Sequence, residues 1–169
     1  DYVSKAVIAI EDRRFYSHFG FDPIGFTRAM ALNLRKGRLV QGGSTISQQL
    51  AKNLFLSSDR TITRKLREMG MSFWLEAKFE KKEILELYLN RVYFGHQTFG
   101  IDQAARRYFG KRATKLTLPE AAMLAGLLKA PSRLNPKTNY KAAKARAKLV
   151  LLAMKRSNFI SPMTLKTAL

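Results

Sequence analysis

The sequence predicts a mainly α-helical protein that forms a single domain. Helix signals recur along its 169 residues, whereas alternation typical of strands is confined to short runs such as residues 92–94. Hydrophobic residues make up 46% and charged residues 25%, which is typical of a globular protein and excludes a disordered one. This length is sufficient for one buried core. Cysteine is absent, which fits an oxidising exterior compartment but excludes no other.

Capping residues and apolar spacing divide the chain into predicted helices. Asp22 and Pro23 are a typical N-cap and first helical residue, and Gly37 ends that helix. Thr117 and Glu120 form a capping box, with side chain and backbone bonding reciprocally. The predicted helices cover residues 3–15, 23–36, 45–54 with Ser44 as the cap, the apolar stripe over residues 62–73, 81–90, 117–129, 140–156 and a short segment from 162.

The net charge of +19 indicates an anionic partner, because so basic a surface repels itself. Nucleic acid, an acidic membrane leaflet and a phosphorylated substrate all meet that description. The longest strongly apolar stretch, residues 121–128, is far shorter than the roughly 20 residues of a membrane-spanning helix. The chain starts at Asp1 without a methionine or signal peptide, so we expect an excerpt of a longer, anchored chain.

The first candidate motif contains Glu11, Asp12, Phe15, His18 and Gly20. A carboxylate beside apolar side chains is partly desolvated, which would make Glu11 a general base. Alone, the motif also fits a solvated acidic pair neutralised by the arginines that follow it. Likewise His18 alone fits a structural, hydrogen-bonded histidine.

The second motif joins a glycine pair to a helix that carries polar residues. Gly42 and Gly43 lead into a helix N-terminus, where free backbone N–H groups favour anions. The chain lacks the Gly-Lys-Ser/Thr ending of a phosphate-binding P-loop. Polar side chains within one helical turn can orient sugar hydroxyls, but they equally fit a capped amphipathic helix. The candidates are Ser44, Gln48, Gln49 and Lys52.

The third motif places the cations Arg60, Arg64 and Lys65 before Glu68. Cations in the first turns of a helix oppose its dipole, and arginine four residues before glutamate is the weaker order of that pair. An anion held near these cations would remove the conflict, but the run fits an exposed charged face equally well. A fourth run, residues 82–90, is mostly packing by its apolar pattern.

In this order, the four motifs resemble those of family 51 glycosyltransferases, the peptidoglycan polymerases found alone or fused to penicillin-binding transpeptidase domains. The resemblance covers residues 7–160. The family usually carries a fifth motif, in which two adjacent arginines precede a Val-Leu pair, whereas here Arg146 is followed by Ala147. This departure leaves the role of Arg146 open.

The resemblance implies a lysozyme-like fold with a large helical lobe and a smaller membrane-facing lobe. It implies that the 4-hydroxyl of lipid II, the lipid-linked disaccharide-pentapeptide, attacks the anomeric carbon of a glycan strand linked to undecaprenyl pyrophosphate. The attack inverts that carbon and releases the lipid pyrophosphate. Glu11 would be the base, Glu68 the second carboxylate, and the cations Arg60, Arg64 and Lys65 would stabilise the pyrophosphate. The implied substrate-binding residues are Ser44, Gln48, Gln49 and Lys52.

Cofactor, partners and location also follow from the resemblance. A divalent metal, magnesium or manganese, would be held by Glu68, and no organic cofactor is expected. The expected partners are lipid II, the lipid-linked glycan strand, an anionic membrane surface and a fused transpeptidase domain, with no nucleic acid. The expected location is the outer face of a bacterial cytoplasmic membrane. For the apolar stretches at residues 54–56 and 69–75, burial in the core is preferred over insertion into the bilayer.

Three alternatives remain open from the residues. A lysozyme-like hydrolase or lytic transglycosylase shares the fold but needs an acid at the leaving oxygen rather than clustered cations. A nucleic-acid-binding module would use the charge but leaves the ordered carboxylate motifs unexplained. A non-catalytic membrane scaffold could keep the same fold.

Overall fold

The computed structural model describes residues 1–38, 40–55 and 61–169 of the chain. The helices in these ranges are α1 Tyr2–Glu11, α2 Pro23–Lys36, α3 Ile46–Phe55, α4 Ile62–Lys78, α5 Lys81–Arg91, α6 Ile101–Phe109, α7 Leu118–Leu127, α8 Tyr140–Arg156 and α9 Pro162–Ala168. Extended pairing in the same ranges is limited to isolated bridges of Phe19 with Phe21 and Tyr93 with Phe99. The prediction of a mainly α fold is confirmed.

The described chain divides into two compact units. The first comprises residues 1–13 and 89–169, and the second comprises residues 14–88. In the first unit α7 is buried along its length except for Pro119 and Glu120, since both α1 and α8 pack against it. Its apolar composition with many small residues explains this central place, because small side chains allow neighbouring helices to approach closely.

The second unit is built around α3 and α4, which pack against each other. Ile46 and Leu50 of α3 and Leu75 of α4 are almost fully buried. Ile84 and Tyr88 of α5 are buried too, as their helical spacing predicts. The core of this unit therefore comes from apolar positions that the sequence pattern identifies.

Most predicted helix ends are confirmed, but three predictions are wrong. α1 ends at Glu11 rather than near residue 15, because the next residue, Asp12, leaves helical geometry at φ −153° and is buried. Thr45, not Ser44, caps α3: its hydroxyl oxygen accepts from the N–H of Gln48 at 3.2 Å. The helix α6 was not predicted at all, although Gly100 and Gly110 bracket it.

The predicted burial of residues 69–75 is wrong for its aromatic members. Phe73 and Trp74 are 39% and 45% exposed, and only Ser72 and Leu75 of this stretch are buried. Ile62 and Leu66, on the same α4 stripe as Phe73, are 82% and 59% exposed. Helical spacing shows that apolar residues share a face, but not what covers that face. No helix in the described ranges is long and apolar enough to cross a membrane.

Candidate active site

Glu11 is the last residue of α1 and is partly exposed. Val7 and Ile8, one turn earlier, are buried in the first unit. A carboxylate at this end of a helix meets the negative end of the helix dipole, and the last turn of α1 carries no basic residue. A helix built only for stability would place a cation there. Glu11 therefore depends on a positive charge from another element of its unit.

Arg146 of α8 supplies that charge. Its stem packs against Gly126 of α7, where an added Cβ would lie 3.0 Å from the Arg146 Cγ. Burial lowers the pKa of the Arg146 guanidinium, and the negative charge of Glu11 opposes that change. The two residues are thus electrostatically coupled. The fifth motif contributes to the surroundings of Glu11 even though Ala147 replaces its second arginine.

Glu68 is the centre of a second cluster, which lies in the second unit. Its side chain is 4% exposed, and one carboxylate oxygen accepts from Nη1 of Arg64 at 2.9 Å. The other oxygen accepts from the ammonium of Lys65. Burying a carboxylate is costly unless it is paired in this way. Glu68 itself is thus an anion that offsets the unfavourable placement of both cations on α4. The prediction that an external anion is needed for this purpose does not follow from the structure.

Lys65 joins the third motif to the second. Its ammonium also donates to the hydroxyl of Ser44 at 2.9 Å, which places Ser44 beside the Glu68 cluster. The side chain of Lys65 remains 46% exposed, compared with 17% for Arg64. The cluster of two cations and one carboxylate carries a net charge of +1. Lys65 is therefore the member whose charge is most accessible to a ligand.

The turn before α3 is held by buried hydrogen bonds. Thr45 donates its hydroxyl to the carbonyl of Gly20 at 2.7 Å, which ties the end of the first motif to the second. Gln48 is 2% exposed, and its side-chain oxygen accepts from the Thr45 N–H at 3.2 Å. Gly20 has φ +80°, and an added Cβ would lie 3.0 Å from the ring of Phe73. The structure uses Gln48 to build this turn, and its contact with substrate stays a prediction.

Gln49 and Lys52 differ in how they are held. The side-chain oxygen of Gln49 accepts from the phenol of Tyr88 at 2.9 Å, which links the second motif to the fourth. Lys52 is exposed, and its ammonium makes no hydrogen bond or ion pair within the described ranges. Its charge is therefore accessible, as a ligand-binding role requires. The predicted cation Arg60 lies outside the described residues.

One buried ionic group was not predicted from the sequence. Ser47 donates to a carboxylate oxygen of Glu76 at 2.5 Å, and Lys81 donates to the same oxygen at 2.7 Å. The Lys81 ammonium also lies 4.5 Å from the centre of the Phe15 ring, at cation–π distance. These residues lie far apart in sequence, so no local pattern could reveal them. They join α3, α4 and α5 in one network next to the second motif.

The residues around Glu68 do not fit a divalent metal. Both carboxylate oxygens already accept from cations. Within the ranges that the structure describes, no group of three or more His, Asp or Glu side chains could hold a metal ion. Magnesium and manganese prefer several oxygen ligands. Metal dependence stays a prediction, and comparing polymerisation rates in chelator and in Mg²⁺ checks it.

Comparison with known proteins gives one consistent result. The sequence model of the Transglycosylase family matches residues 1–155. Penicillin-binding protein 1A of Aquifex aeolicus is 49% identical over 96% of this chain and 22% of its own length. A Cupriavidus necator protein provisionally named a transglycosylase is 51% identical over 90% of this chain and 65% of its own length.

The similarity extends to a solved structure. The crystal structure of penicillin-binding protein 1A from Haemophilus influenzae aligns with a TM-score of 0.51 and 34% identity, over 73% of this chain and 15% of that one. The chain thus spans about a fifth of the penicillin-binding proteins that it matches. The family match over residues 1–155 agrees with the four ordered motifs and with the helical fold. The chain belongs to the transglycosylase family, the family 51 glycosyltransferases that polymerise peptidoglycan.

Proposed function

We propose that the protein polymerises lipid II into glycan strands. The 4-hydroxyl oxygen of the acceptor sugar forms a bond to the anomeric carbon of the donor, and the bond from that carbon to the pyrophosphate oxygen breaks. The hydroxyl proton passes to Glu11, and the lipid pyrophosphate leaves with the bonding electrons. Attack from the opposite face inverts the anomeric centre.

The observation that carries this proposal is the pairing of Glu68 with two cations. A glycosidase protonates its leaving oxygen with a carboxylic acid. Both oxygens of Glu68 instead accept from Arg64 and Lys65, so Glu68 is not placed to deliver a proton. A pyrophosphate needs no proton to leave, but it needs cations, and Lys65 offers an accessible one. This arrangement favours a transferase over a lysozyme-like hydrolase or lytic transglycosylase.

The other predicted residues have supporting roles in this proposal. Gln49, held by Tyr88, would hydrogen-bond a sugar hydroxyl. Lys52 would contact a phosphate from the exposed side of α3, and Arg60 would add a further cation. Ser44 would keep the Lys65 ammonium in position through its 2.9 Å hydrogen bond.

Incubation with two substrates tests the proposal directly. With lipid II we expect glycan chains that lengthen with time, separated by size and detected through a fluorescent label. With finished peptidoglycan we expect no degradation. Soluble fragments from finished peptidoglycan, without chain growth from lipid II, would establish the hydrolase instead. Steeply salt-dependent DNA binding without either reaction would support the nucleic-acid-binding alternative.

We further propose that the second unit contacts the membrane that carries the lipid-linked substrate. Ile62, Leu66 and Phe73 follow one another along one face of α4 at helical spacing and are all exposed. α2 likewise exposes Met30 and Leu34, one turn apart. Exposed apolar side chains concentrated on helix faces are typical of interaction surfaces rather than of ordinary solvent-facing helices. Basic side chains would add about 1 kcal/mol each near anionic headgroups.

Vesicle binding tests this membrane contact. Ile62 and Leu66 replaced together by serine should weaken binding to vesicles of phosphatidylcholine and phosphatidylglycerol at least about tenfold, because two side chains no longer bury apolar area. Leu149→Ser removes an exposed leucine, 48% exposed against 59% for Leu66, from α8 of the first unit and should bind normally. Equal binding by all three proteins in a sedimentation assay would refute the proposed surface. Location at the outer face of the cytoplasmic membrane stays a prediction, and so does a fused transpeptidase domain.

A further inference from the structure

The first unit contains an open cavity that the proposed reaction does not use. Its volume is about 660 Å³, large enough for a short peptide segment or a disaccharide. Its walls come from the turn after α5, from α6 and from the connector between α7 and α8. The lining residues are Tyr93, His96, Gln97, Arg107, Ser132 and Thr138.

One wall of the cavity is a tight turn in an unfavourable backbone conformation. Gly95, His96 and Gln97 have successive φ values of +88°, +47° and +56°. The Thr98 N–H donates to the Gly95 carbonyl at 2.9 Å, which closes a turn of type I′. Such turns favour asparagine and glycine at the two central positions, whereas this chain has histidine and glutamine. Strain of this kind persists where surrounding structure enforces it, and it is common at ligand sites.

Neighbouring elements hold this turn in place. An added Cβ at Gly95 would lie 2.9 Å from the carbonyl oxygen of Pro131, so only glycine lets the connector approach. The phenol of Tyr108 on α6 donates to the carbonyl of Phe94 at 2.9 Å. Burial raises the pKa of Tyr108, which keeps its phenol protonated as that donor. The turn is therefore a fixed wall rather than a free loop.

The cavity lining includes one cation, Arg107, that has no ion-pair partner in the described part of the chain. Arg106 pairs with Asp102 at 2.9 Å, and that carboxylate also accepts from the N–H of Ala113. Arg107, the next residue, lines the cavity and makes no ion pair or hydrogen bond within the described ranges. The described lining contains no acidic residue, whereas histidine, glutamine, serine and threonine side chains can all donate hydrogen bonds. This composition favours an anion with polar surroundings.

We propose that this cavity binds a carboxylate of the peptide that lipid II and its polymer carry. The inference rests on the proposed function, which supplies a substrate with a carboxylate-bearing peptide. A guanidinium matches a carboxylate with two parallel hydrogen bonds, and Arg107 is the residue placed to make them. Tyr93, whose ring centre lies 5.0 Å from that of Phe99, offers an apolar face to the peptide. The cavity would thus fix the peptide while its sugar reacts elsewhere.

Direct binding tests the cavity without any reaction. The probes are a soluble pentapeptide with free carboxylates, the same peptide with every carboxylate amidated, and inorganic pyrophosphate, each titrated by calorimetry. We expect the free-acid peptide to bind and the amidated peptide to bind at least about tenfold more weakly, since hydrogen bonds to charged groups are the stronger ones. Arg107→Gln should remove this difference.

Arg106→Gln is the matched control, because it removes the same charge from the adjacent residue, which does not line the cavity. It should bind the free-acid peptide like the unaltered protein. Equal binding of the free-acid and amidated peptides would overturn the inference. So would binding of pyrophosphate alone, lost in Arg107→Gln, since it would assign the cavity to phosphate.

Polymerisation assays separate this inference from the proposed function. With lipid II, Arg107→Gln should raise KM at least about tenfold and leave kcat unchanged, whereas lipid II with an amidated peptide should show no effect of the substitution. Normal polymerisation with no preference for the free-acid peptide would overturn the cavity assignment alone. Peptide binding that depends on Arg107, in a protein that does not polymerise lipid II, would overturn the proposed function alone.

Discussion

Glu11→Gln is expected to lower the rate of lipid II polymerisation by about 10²–10⁴-fold, the usual contribution of a general base. The amide has nearly the same shape as the carboxylate but cannot accept the proton of the attacking hydroxyl. The loss should appear in kcat, because proton transfer belongs to the transition state. The measurement is the initial rate of chain growth at saturating lipid II.

Glu80→Gln makes the same chemical change at an exposed position and should polymerise at the normal rate. Circular dichroism and thermal melting of both variants separate lost chemistry from lost fold, since Glu11→Gln removes a negative charge that acts on the buried Arg146 guanidinium. A folded Glu11→Gln protein that polymerises normally would exclude Glu11 as the base.

Lys65→Ala is expected to lower kcat by about 10²–10³-fold, comparable to losing one donor that stabilises developing charge. Its ammonium is the accessible cation of the Glu68 cluster. Because a pyrophosphate is charged before and during bond cleavage, KM should rise as well. Steady-state kinetics with lipid II measures both effects.

Lys78→Ala is the matched control for this experiment, since Lys78 is exposed at the other end of the same helix. Lys65→Arg should restore part of the rate, because it restores the charge but not the ammonium geometry. If Lys65→Ala and Lys78→Ala gave equal kinetics, the cluster would have a structural role only.

Local sequence signals predicted most of the helices. α8 has the predicted bounds, and α2 begins at Pro23 and ends before Gly37, which has φ +60°. These signals act within a few residues, so they can be read without tertiary contacts. The end of α1 could not be predicted from such local signals, because Asp12 leaves helical geometry and is buried in the tertiary structure. α6 was not predicted, although Ile101, Ala104 and Ala105 are buried at helical spacing and charged residues occupy the opposite face, so the apolar signal was present in the sequence.

The candidate site was predictable as residue types but not as contacts. The ordered motifs identified Glu68 and both cations, and the structure joins them at hydrogen-bond distance. It also showed that Ser44 bonds to Lys65 rather than capping a helix. The coupling of Arg146 to Glu11 crosses most of the chain length, so only the fold reveals it. The exposure of the aromatic residues on α4 could not be predicted from the sequence either, because spacing alone does not show whether another element covers a helix face.

Glu68 offsets one of the two positive charges in its cluster, and in the proposed reaction this affects how the product departs. A bare pair of cations would hold a spent pyrophosphate tightly, and slow escape would then limit each cycle. With Glu68 bonded to the same donors, the leaving anion competes with a resident carboxylate for Arg64 and Lys65. This competition lowers the affinity of the cluster for the pyrophosphate. When the pyrophosphate departs, Arg64 and Lys65 donate to Glu68 again. The proposed polymerisation would benefit from a cluster that returns to the same state after each reaction.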